Sequence, residues 1–272
     1  MTVTLAAVIG HPVRQSLSPA MHNAVFAASG LDWRFTRFEV LPGGADAAVA
    51  AMGPLRIGGL AVTMPHKEQA AAAVDEIDVA ARALRSVNTV ALRPDGSTFG
   101  ASTDGQGFVD AVSASGFAVR GARVVVLGAG GAARSIVDAL GRAGVDDISI
   151  VNRTVARAED AARLADVARV GVIDDVGGAD LLVNTTSVGM GTDELPVDPA
   201  VLHRGLAVAD IVYHPLETAL LGAGRRTGAH TIDGLAMLAH QAVLQQELWT
   251  GLRPDAAMLR AAAEAELAAR SH

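Results

Sequence analysis

Arg123-Val124-Val125-Val126-Leu127-Gly128-Ala129-Gly130-Gly131-Ala132-Ala133-Arg134 is the stretch on which the fold turns. Four consecutive apolar residues suit a strand buried on both faces, as in a parallel sheet. They run straight into a G-x-G-x-x-A pattern, and an alanine-rich helical stretch continues to Ala143. Alone, that glycine pattern is weak evidence. Following a buried strand and opening a helix, it stands in the context its mechanism requires. The glycines let the backbone turn sharply and approach a pyrophosphate, while the helix N-terminus offers free N–H groups and the positive end of its dipole. Gly128, Ala129, Gly130, Gly131 and Ala132 are therefore candidate cofactor contacts. The bland alternative is a glycine-rich turn in an alanine-rich chain.

The end of the next strand chooses between cofactors. An NAD site places Asp or Glu there to accept from the ribose 2′-hydroxyl. Here the segment reads Val151-Asn152-Arg153-Thr154-Val155-Ala156-Arg157, without a carboxylate. Two arginines beside an amide and a hydroxyl suit a 2′-phosphate dianion. Asn152, Arg153, Thr154 and Arg157 are candidate contacts, and the expected cofactor is NADP(H). Arg157 could equally belong to a solvated helix face; Arg153, at the strand end beside the expected ribose, is harder to dismiss.

Outward from this core, short apolar runs alternate with alanine-rich helical stretches, the pattern of an α/β protein. Strands are expected at 5–9, 34–40, 59–63, 86–93 and 97–101 before the glycine motif, and at 148–151, 181–184, 206–212 and 231–233 after it. Ser18-Pro19 reads as the N-cap and first residue of a helix reaching Ser29. Further helices are expected at 45–52, after Pro65, and at 77–84, 104–115, 156–165, 218–227, 236–250 and 255–269. The expected architecture is an N-terminal α/β substrate domain of residues 1–103 and 237–272 plus a Rossmann-type doubly wound dinucleotide-binding domain of residues 104–236.

Composition narrows the class. A chain of 272 residues can bury one large core or two ordinary ones. With 3% aromatic residues, those cores must be built from Val, Leu, Ile and Ala. A net charge of −7 argues against a general nucleic-acid surface. Without cysteine there is no disulfide and no thiolate metal site. The apolar start, Met1 to Gly10, has no basic flank and reads as a first strand, and no apolar run is long enough to span a membrane. A cytoplasmic protein is expected.

Lys67 is the only lysine; the other twenty-one cationic side chains are arginines. An amine can be tuned by burial and neighbours, whereas a guanidinium is effectively always charged. A tunable amine serves acid–base chemistry. Its setting, Gly59-Leu60-Ala61-Val62-Thr63-Met64-Pro65-His66-Lys67, favours a role over a leftover surface lysine. Ser16 and Ser18 flank Leu17 beside a helix start, where two hydroxyls can bind a carboxylate. Asn88 is one of only four asparagines, and Asp104 follows Ser102-Thr103. His66 and His240 adjoin these residues and are read as structural histidines.

Taken in order, these motifs resemble the shikimate dehydrogenase family along the whole chain. Val8-Ile-Gly-His-Pro12 with Ser16-Leu-Ser-Pro19 and His22-Asn23, Val62-Thr-Met-Pro65 with Lys67, Val87-Asn-Thr89, and Thr103-Asp104 with Gly107-Phe108 carry the first half. Gly128 to Arg134, Asn152-Arg-Thr154, Asn184-Thr-Thr-Ser-Val-Gly-Met190, Asp210 with Tyr213 and Pro215, Asp233-Gly-Leu235 with Gln241, and Trp249-Thr-Gly251 carry the second.

The resemblance implies that Ser16 and Ser18 hold a substrate carboxylate and that Thr63, Asn88, Asp104 and Gln241 hold ring hydroxyls. It also implies that Lys67 and Asp104 form the catalytic pair, with Tyr213, a substrate contact, and Gly234 near the nicotinamide and substrate, and Thr185 at the cofactor. The implied reaction is reversible, NADP-dependent reduction of 3-dehydroshikimate, a cyclohexene carboxylate, to shikimate, by a monomer or homodimer and without a metal. Four positions depart from the family: Ala61 and Ser102 stand where Asn is common, and Arg85-Ser86 replaces a small pair. Ala61 would remove an amide near the substrate ring, so a quinate or aminoshikimate dehydrogenase is the nearest alternative. A non-catalytic ligand sensor is a further alternative; it would need an output domain for which 272 residues leave no room.

Overall fold

The computed structural model describes residues 3–270. The chain divides into two compact units, one formed by residues up to Thr103 together with those from Ala239 onward, the other by Asp104–Leu238.

In the first unit the order is β1 (Thr4–Gly10), α1 (Ser18–Ala28), β2 (Trp33–Glu39), α2 (Ala45–Ala50), α3 (Met52–Leu55), β3 (Ile57–Val62), α4 (Lys67–Ala73), β4 (Glu76–Ile77), α5 (Val79–Leu84), β5 (Thr89–Leu92) and β6 (Thr98–Ala101). The six strands form one mixed sheet in the order β2-β1-β3-β5-β6-β4. β1 is parallel to β2 and β3, whereas β5 runs antiparallel to β3 and β6. Alternation along β1 separates two cores. Ala7 and Ile9 pack with Val49, Met52, Leu60 and Val90, while Ala6 and Val8 pack with Phe26, Phe35 and Trp249.

The second unit opens with α6 (Asp104–Ala114) and continues through β7 (Arg123–Leu127), α7 (Gly131–Ala143), β8 (Asp147–Val151), α8 (Val155–Ala162), β9 (Ala168–Val170), β10 (Leu181–Asn184), β11 (Ala207–Asp210), α9 (Ala219–Thr227) and β12 (His230–Ile232). Its sheet has the order β12-β11-β10-β7-β8-β9, and every pairing is parallel. Strand order reverses at β7, so a doubly wound sheet has its topological switch point at the glycine motif. Val124 and Val126 face a core with Phe108, Ile136 and Leu140; Val125 and Leu127 face another with Leu182, Val208 and Leu221. The four-residue apolar run is therefore buried on both sides, as parallel-sheet strands are. α10 (Gly234–Thr250) and α11 (Ala256–Arg270) close the chain.

Several local expectations are corrected. Ser18 is the first residue of α1, not its cap: Leu17 occupies the cap position in a helical conformation, with no side-chain cap. The hydroxyl of Ser16, two residues earlier, accepts from the Ser18 backbone N–H instead, at 3.3 Å. The helix expected at 45–52 is broken in two, and the one expected from Ile77 starts at Val79, because Asp78 caps it through Ala81 N–H and Ile77 pairs as strand with Gly100. The edge strand β9 has no counterpart among the expected strands, since its three residues carry no alternation long enough to read.

Candidate active site

In the first unit the sheet gathers the predicted residues at one edge. β5 is antiparallel to β3 and β6, so the start of β5 lies beside the ends of the other two. Thr63 follows β3, Asn88 precedes β5 and Thr103 follows β6; Lys67 opens α4, four residues past Thr63. His11, just after β1, donates its backbone N–H to Met64 O at 2.9 Å, joining the ends of β1 and β3. Backbone bonds from Val62 N to Asn88 O and from Asn88 N to Ala101 O lock Asn88 between β3 and β6. The Val87 N–H on Lys67 O, at 3.0 Å, anchors the start of α4 to the same place. Gly10 is needed there: a Cβ would fall 2.4 Å from the Thr63 methyl.

Asn88 is buried, and its hydrogen bonds define which way its amide points. Oδ1 accepts from the Thr103 backbone N–H at 2.8 Å and from the Thr89 hydroxyl at 3.0 Å, while Nδ2 donates to Thr103 Oγ1 at 2.9 Å. Gln241, on α10, accepts from the Thr103 hydroxyl at 3.4 Å. Ser16 and Ser18 lie in the turn leading into α1, and the Ser16 carbonyl accepts from Arg37 at 2.6 Å and Arg270 at 3.3 Å. The Ser16 hydroxyl, already accepting from Ser18 N–H, has its hydrogen to donate, the polarity a carboxylate needs.

His66 is fully buried and bonded through Nε2 to Val40 O at 2.8 Å, which makes it structural. Ala61 is buried too, within the apolar cluster of Val8, Phe26, Phe35 and Trp249. Ser102 N–H donates to Asp78 Oδ2 at 3.3 Å, tying the β6 end to the cap of α5.

In the second unit Gly128 has a φ of 105°, a region that favours glycine, and a Cβ there would lie 2.6 Å from Thr185 Oγ1. Thr185 donates both its hydroxyl (2.6 Å) and its N–H (2.9 Å) to Leu127 O, tying the end of β10 to the glycine turn. At Gly130 and Gly131 a Cβ would meet no atom within 4 Å, so open space lies beside the start of α7, where first-turn N–H groups have no partner within the helix. This is the cradle a pyrophosphate fits.

At the end of β8, Asn152 donates to Thr154 O at 2.8 Å, shaping the turn into α8. Arg153 and Arg157 are exposed, and neither has a carboxylate partner among the described residues. The nearby Arg142, Arg163 and Arg169 are all ion-paired. Two guanidiniums without a carboxylate partner suit a 2′-phosphate, and the turn carries no Asp or Glu of the kind that accepts from a 2′-hydroxyl.

Asp210 ends β11 and is buried with its charge satisfied: it accepts from Asn184 Nδ2 (3.0 Å), Val212 N–H (3.1 Å) and Thr218 Oγ1 (2.7 Å). Burial nevertheless raises its pKa above the ordinary carboxylate value. This network fixes the loop bearing the half-buried Tyr213. Gly234 opens α10 against that loop, where a Cβ would fall 2.5 Å from Ile211 O. Asp104 is the first residue of α6 and belongs to this second unit. Among the described residues no group of three or more His, Asp or Glu side chains could hold a metal, and no helix is long and apolar enough to cross a membrane.

Comparison with known proteins places the chain. Residues 8–90 match the model of the shikimate dehydrogenase substrate binding domain, 111–179 that of shikimate/quinate 5-dehydrogenase, and 234–264 that of the shikimate 5′-dehydrogenase C-terminal domain. The chain is 44% identical to the shikimate dehydrogenase (NADP(+)) of Rubrobacter xylanophilus, over 97% of this chain and 96% of that one. It belongs to the shikimate dehydrogenase family. Its structure superposes on shikimate 5-dehydrogenase from Thermus thermophilus, solved with NADP(H) and shikimate, with a TM-score of 0.91 at 34% identity, covering 97% of this chain and 99% of the other. A Gluconobacter 5-ketofructose reductase gives the same TM-score, 0.91, at 32% identity over 98% and 99% of the two chains. Backbone likeness alone therefore does not choose a substrate within this family.

Sequence reasoning missed part of the site. Thr89, Thr103, His22, Gln245 and Gln246 form a buried polar network with Asn88 and Gln241. The available signal was weak: two glutamines four and five residues after Gln241, on a helix of mostly apolar residues.

Proposed function

We propose that this chain is an NADP-dependent dehydrogenase that interconverts shikimate and 3-dehydroshikimate. The observation that carries the reading is the pair Arg153 and Arg157, unpaired at the end of β8, in a chain whose curated relatives at 40–44% identity are NADP-dependent shikimate dehydrogenases. Bound NADPH would supply the hydride, held by the Gly128–Ala132 turn, Asn152, Arg153, Thr154, Arg157 and Thr185.

In this reading the first unit binds the substrate. Ser16 and Ser18 take its carboxylate, and Thr63, Asn88 and Gln241 take ring hydroxyls. Lys67, as ammonium, gives a proton to the carbonyl oxygen as that carbon receives hydride, and as free amine takes the hydroxyl proton in the reverse direction. Asp104 orients the reacting hydroxyl and the amine, and Tyr213 and Gly234 lie at the nicotinamide side. The ketone carbon is reduced, the cofactor oxidised, and one proton is consumed per turnover. A cytoplasmic monomer or homodimer working on free small molecules, without nucleic acid, fits this reading.

Initial rates with shikimate or quinate, each with NADP⁺ and NAD⁺, test it. Turnover with shikimate and NADP⁺ well above every other combination is expected. Preference for quinate or for NAD⁺ would overturn the substrate or cofactor assignment, and no turnover with either acid would overturn both.

A further inference from the structure

Buried side chains behind Asn88 form a chain of hydrogen bonds whose direction is set at its far end. The Gln246 amide lies against His22, with Nε2 2.9 Å from the ring Nδ1 and 3.4 Å from the His22 carbonyl oxygen. A carbonyl only accepts, so the amide must turn its NH₂ toward His22, and Nδ1 must be the unprotonated ring nitrogen. The ring hydrogen is then on Nε2, which donates to Gln245 Oε1 at 3.2 Å. With its oxygen so used, Gln245 turns its NH₂ to Thr89 Oγ1 at 3.1 Å. The Thr89 hydroxyl, now an acceptor there, has Asn88 Oδ1 at 3.0 Å and Thr103 Oγ1 at 3.2 Å in reach of its hydrogen, and the shorter contact, to Asn88, takes it. Together with the Thr103 backbone N–H on the same oxygen, this leaves the Asn88 NH₂ pointing toward Thr103 and the sheet edge.

The His22 ring is held in place for this task. It stacks on Phe35 with centroids 4.4 Å apart and planes at 20°, and Trp249 lies 5.1 Å away. The residue is completely buried, and its polar neighbours Gln245 and Gln246 are neutral. Gln246 Oε1 is buried without a hydrogen-bond partner among the described residues. An amide left half-satisfied is a cost the fold bears in order to keep the donor end of Gln246 on His22.

We propose that His22, Gln245, Gln246 and Thr89 are positioning residues that fix the orientation of the Asn88 amide, so that Asn88 meets a substrate hydroxyl as a donor. A half-turn of the Asn88 amide would set its NH₂ against two donors, the Thr103 backbone N–H and the Thr89 hydroxyl, and the chain supplies the second of them. The proposal rests on Asn88 being a substrate ligand, as in the function proposed above.

Two measurements on the full chain test it, one of them independent of turnover. Nitrogen-15 NMR of the histidine rings, with His22 assigned by its loss in His22→Phe, should show a neutral His22 carrying its hydrogen on Nε2. A hydrogen on Nδ1 would overturn the proposal whatever the enzyme's substrate. Kinetics then compare Thr89→Val and Gln245→Met with Thr89→Ser. The first two should raise the KM for shikimate about tenfold, the order expected when a hydrogen bond to a buried ligand group is lost, with the KM for NADP⁺ changed less than about twofold. Thr89→Ser, which restores the hydroxyl, should return the shikimate KM to near wild type. If the two deletions lower thermal stability but leave the shikimate KM unchanged, the chain is merely structural and the proposal fails. Should Gln245→Met not fold, the Thr89 pair decides alone. A wild-type protein that does not turn over shikimate overturns the functional reading, whereas the position of the His22 ring hydrogen still supports or overturns the direction of the hydrogen bonds.

Discussion

Gly59 lies directly beneath the indole of Trp249: a Cβ at position 59 would fall 2.6 Å from Cδ2, Cε2 and Nε1 of that ring. The indole N–H donates to Val90 O at 3.0 Å, so the ring cannot slide away without breaking a buried bond. This pairing seats the late helix α10 on the sheet of the first unit, and with it Gln241.

Gly59→Ala should therefore destabilise the protein by about 1–3 kcal/mol, the usual cost of overpacking a filled core. Thermal unfolding monitored by tryptophan fluorescence would read this as a lower midpoint. The shikimate KM should rise as well, because Gln241 and Gln245 ride on the same helix as Trp249. An unchanged midpoint would show that the indole can move.

Arg153→Ala should weaken NADP⁺ far more than NAD⁺. A charge-assisted bond to phosphate is worth about 1.5–3 kcal/mol, or about ten- to a hundredfold in affinity. The KM for NADP⁺ should rise by that factor while turnover with NAD⁺ stays near its wild-type level. Arg157→Ala should act in the same direction.

Lys67→Ala should lower kcat by about 10²–10⁴, the usual contribution of a positioned acid–base group. NADP⁺ affinity, measured by fluorescence titration, should be unaltered, since the candidate dinucleotide contacts lie in the second unit. A ligand sensor without catalysis would lose nothing measurable in ligand binding and would have no kcat to lose.

His22 makes the fold acid-sensitive. Burial drives its pKa from 6.5 down to about 3, only partly offset by the bond to Gln245. The unfolded chain takes up this proton below pH 6.5 and the native chain does not, so stability from this residue is intact above pH 6.5. It is lost progressively as pH falls toward about 3. The slope is at most about 1.4 kcal/mol per pH unit for one proton. In chemical denaturation between pH 7 and 4, His22→Phe should be less stable than wild type at pH 7 and should show a smaller loss on acidification. Equal slopes would mean that other groups govern the acid transition.

Much of the second unit is legible residue by residue. Arg123–Leu127 and Leu181–Asn184 form strands with the expected bounds, because a run of apolar residues flanked by turn signals admits few other placements. The first unit is harder to read. Ile77 and Ser18 take local roles other than the expected ones: the Asp78 cap starts α5 two residues later and leaves Ile77 to the sheet, and Ser18 falls inside α1 after an uncapped Leu17. Ala61 illustrates the limit most clearly. The sequence places it in a family motif, and only the pleat of β3 shows that its side chain packs with Val8, Phe26, Phe35 and Trp249.

Sequence by itself determined the chemistry available: one amine, a glycine turn after a buried strand, and arginines where a carboxylate would select NAD. These follow from residue type and spacing along the chain, which local rules of backbone and charge can read. Only the tertiary structure decided that Thr63, Asn88 and Thr103 share one sheet edge, and that His22 and Gln245, 223 residues apart, set the direction of the bonds reaching Asn88. The reason is physical: a hydrogen bond's direction depends on which partners a buried group has already satisfied, and those partners come together only when the sheet and the returning helix pack.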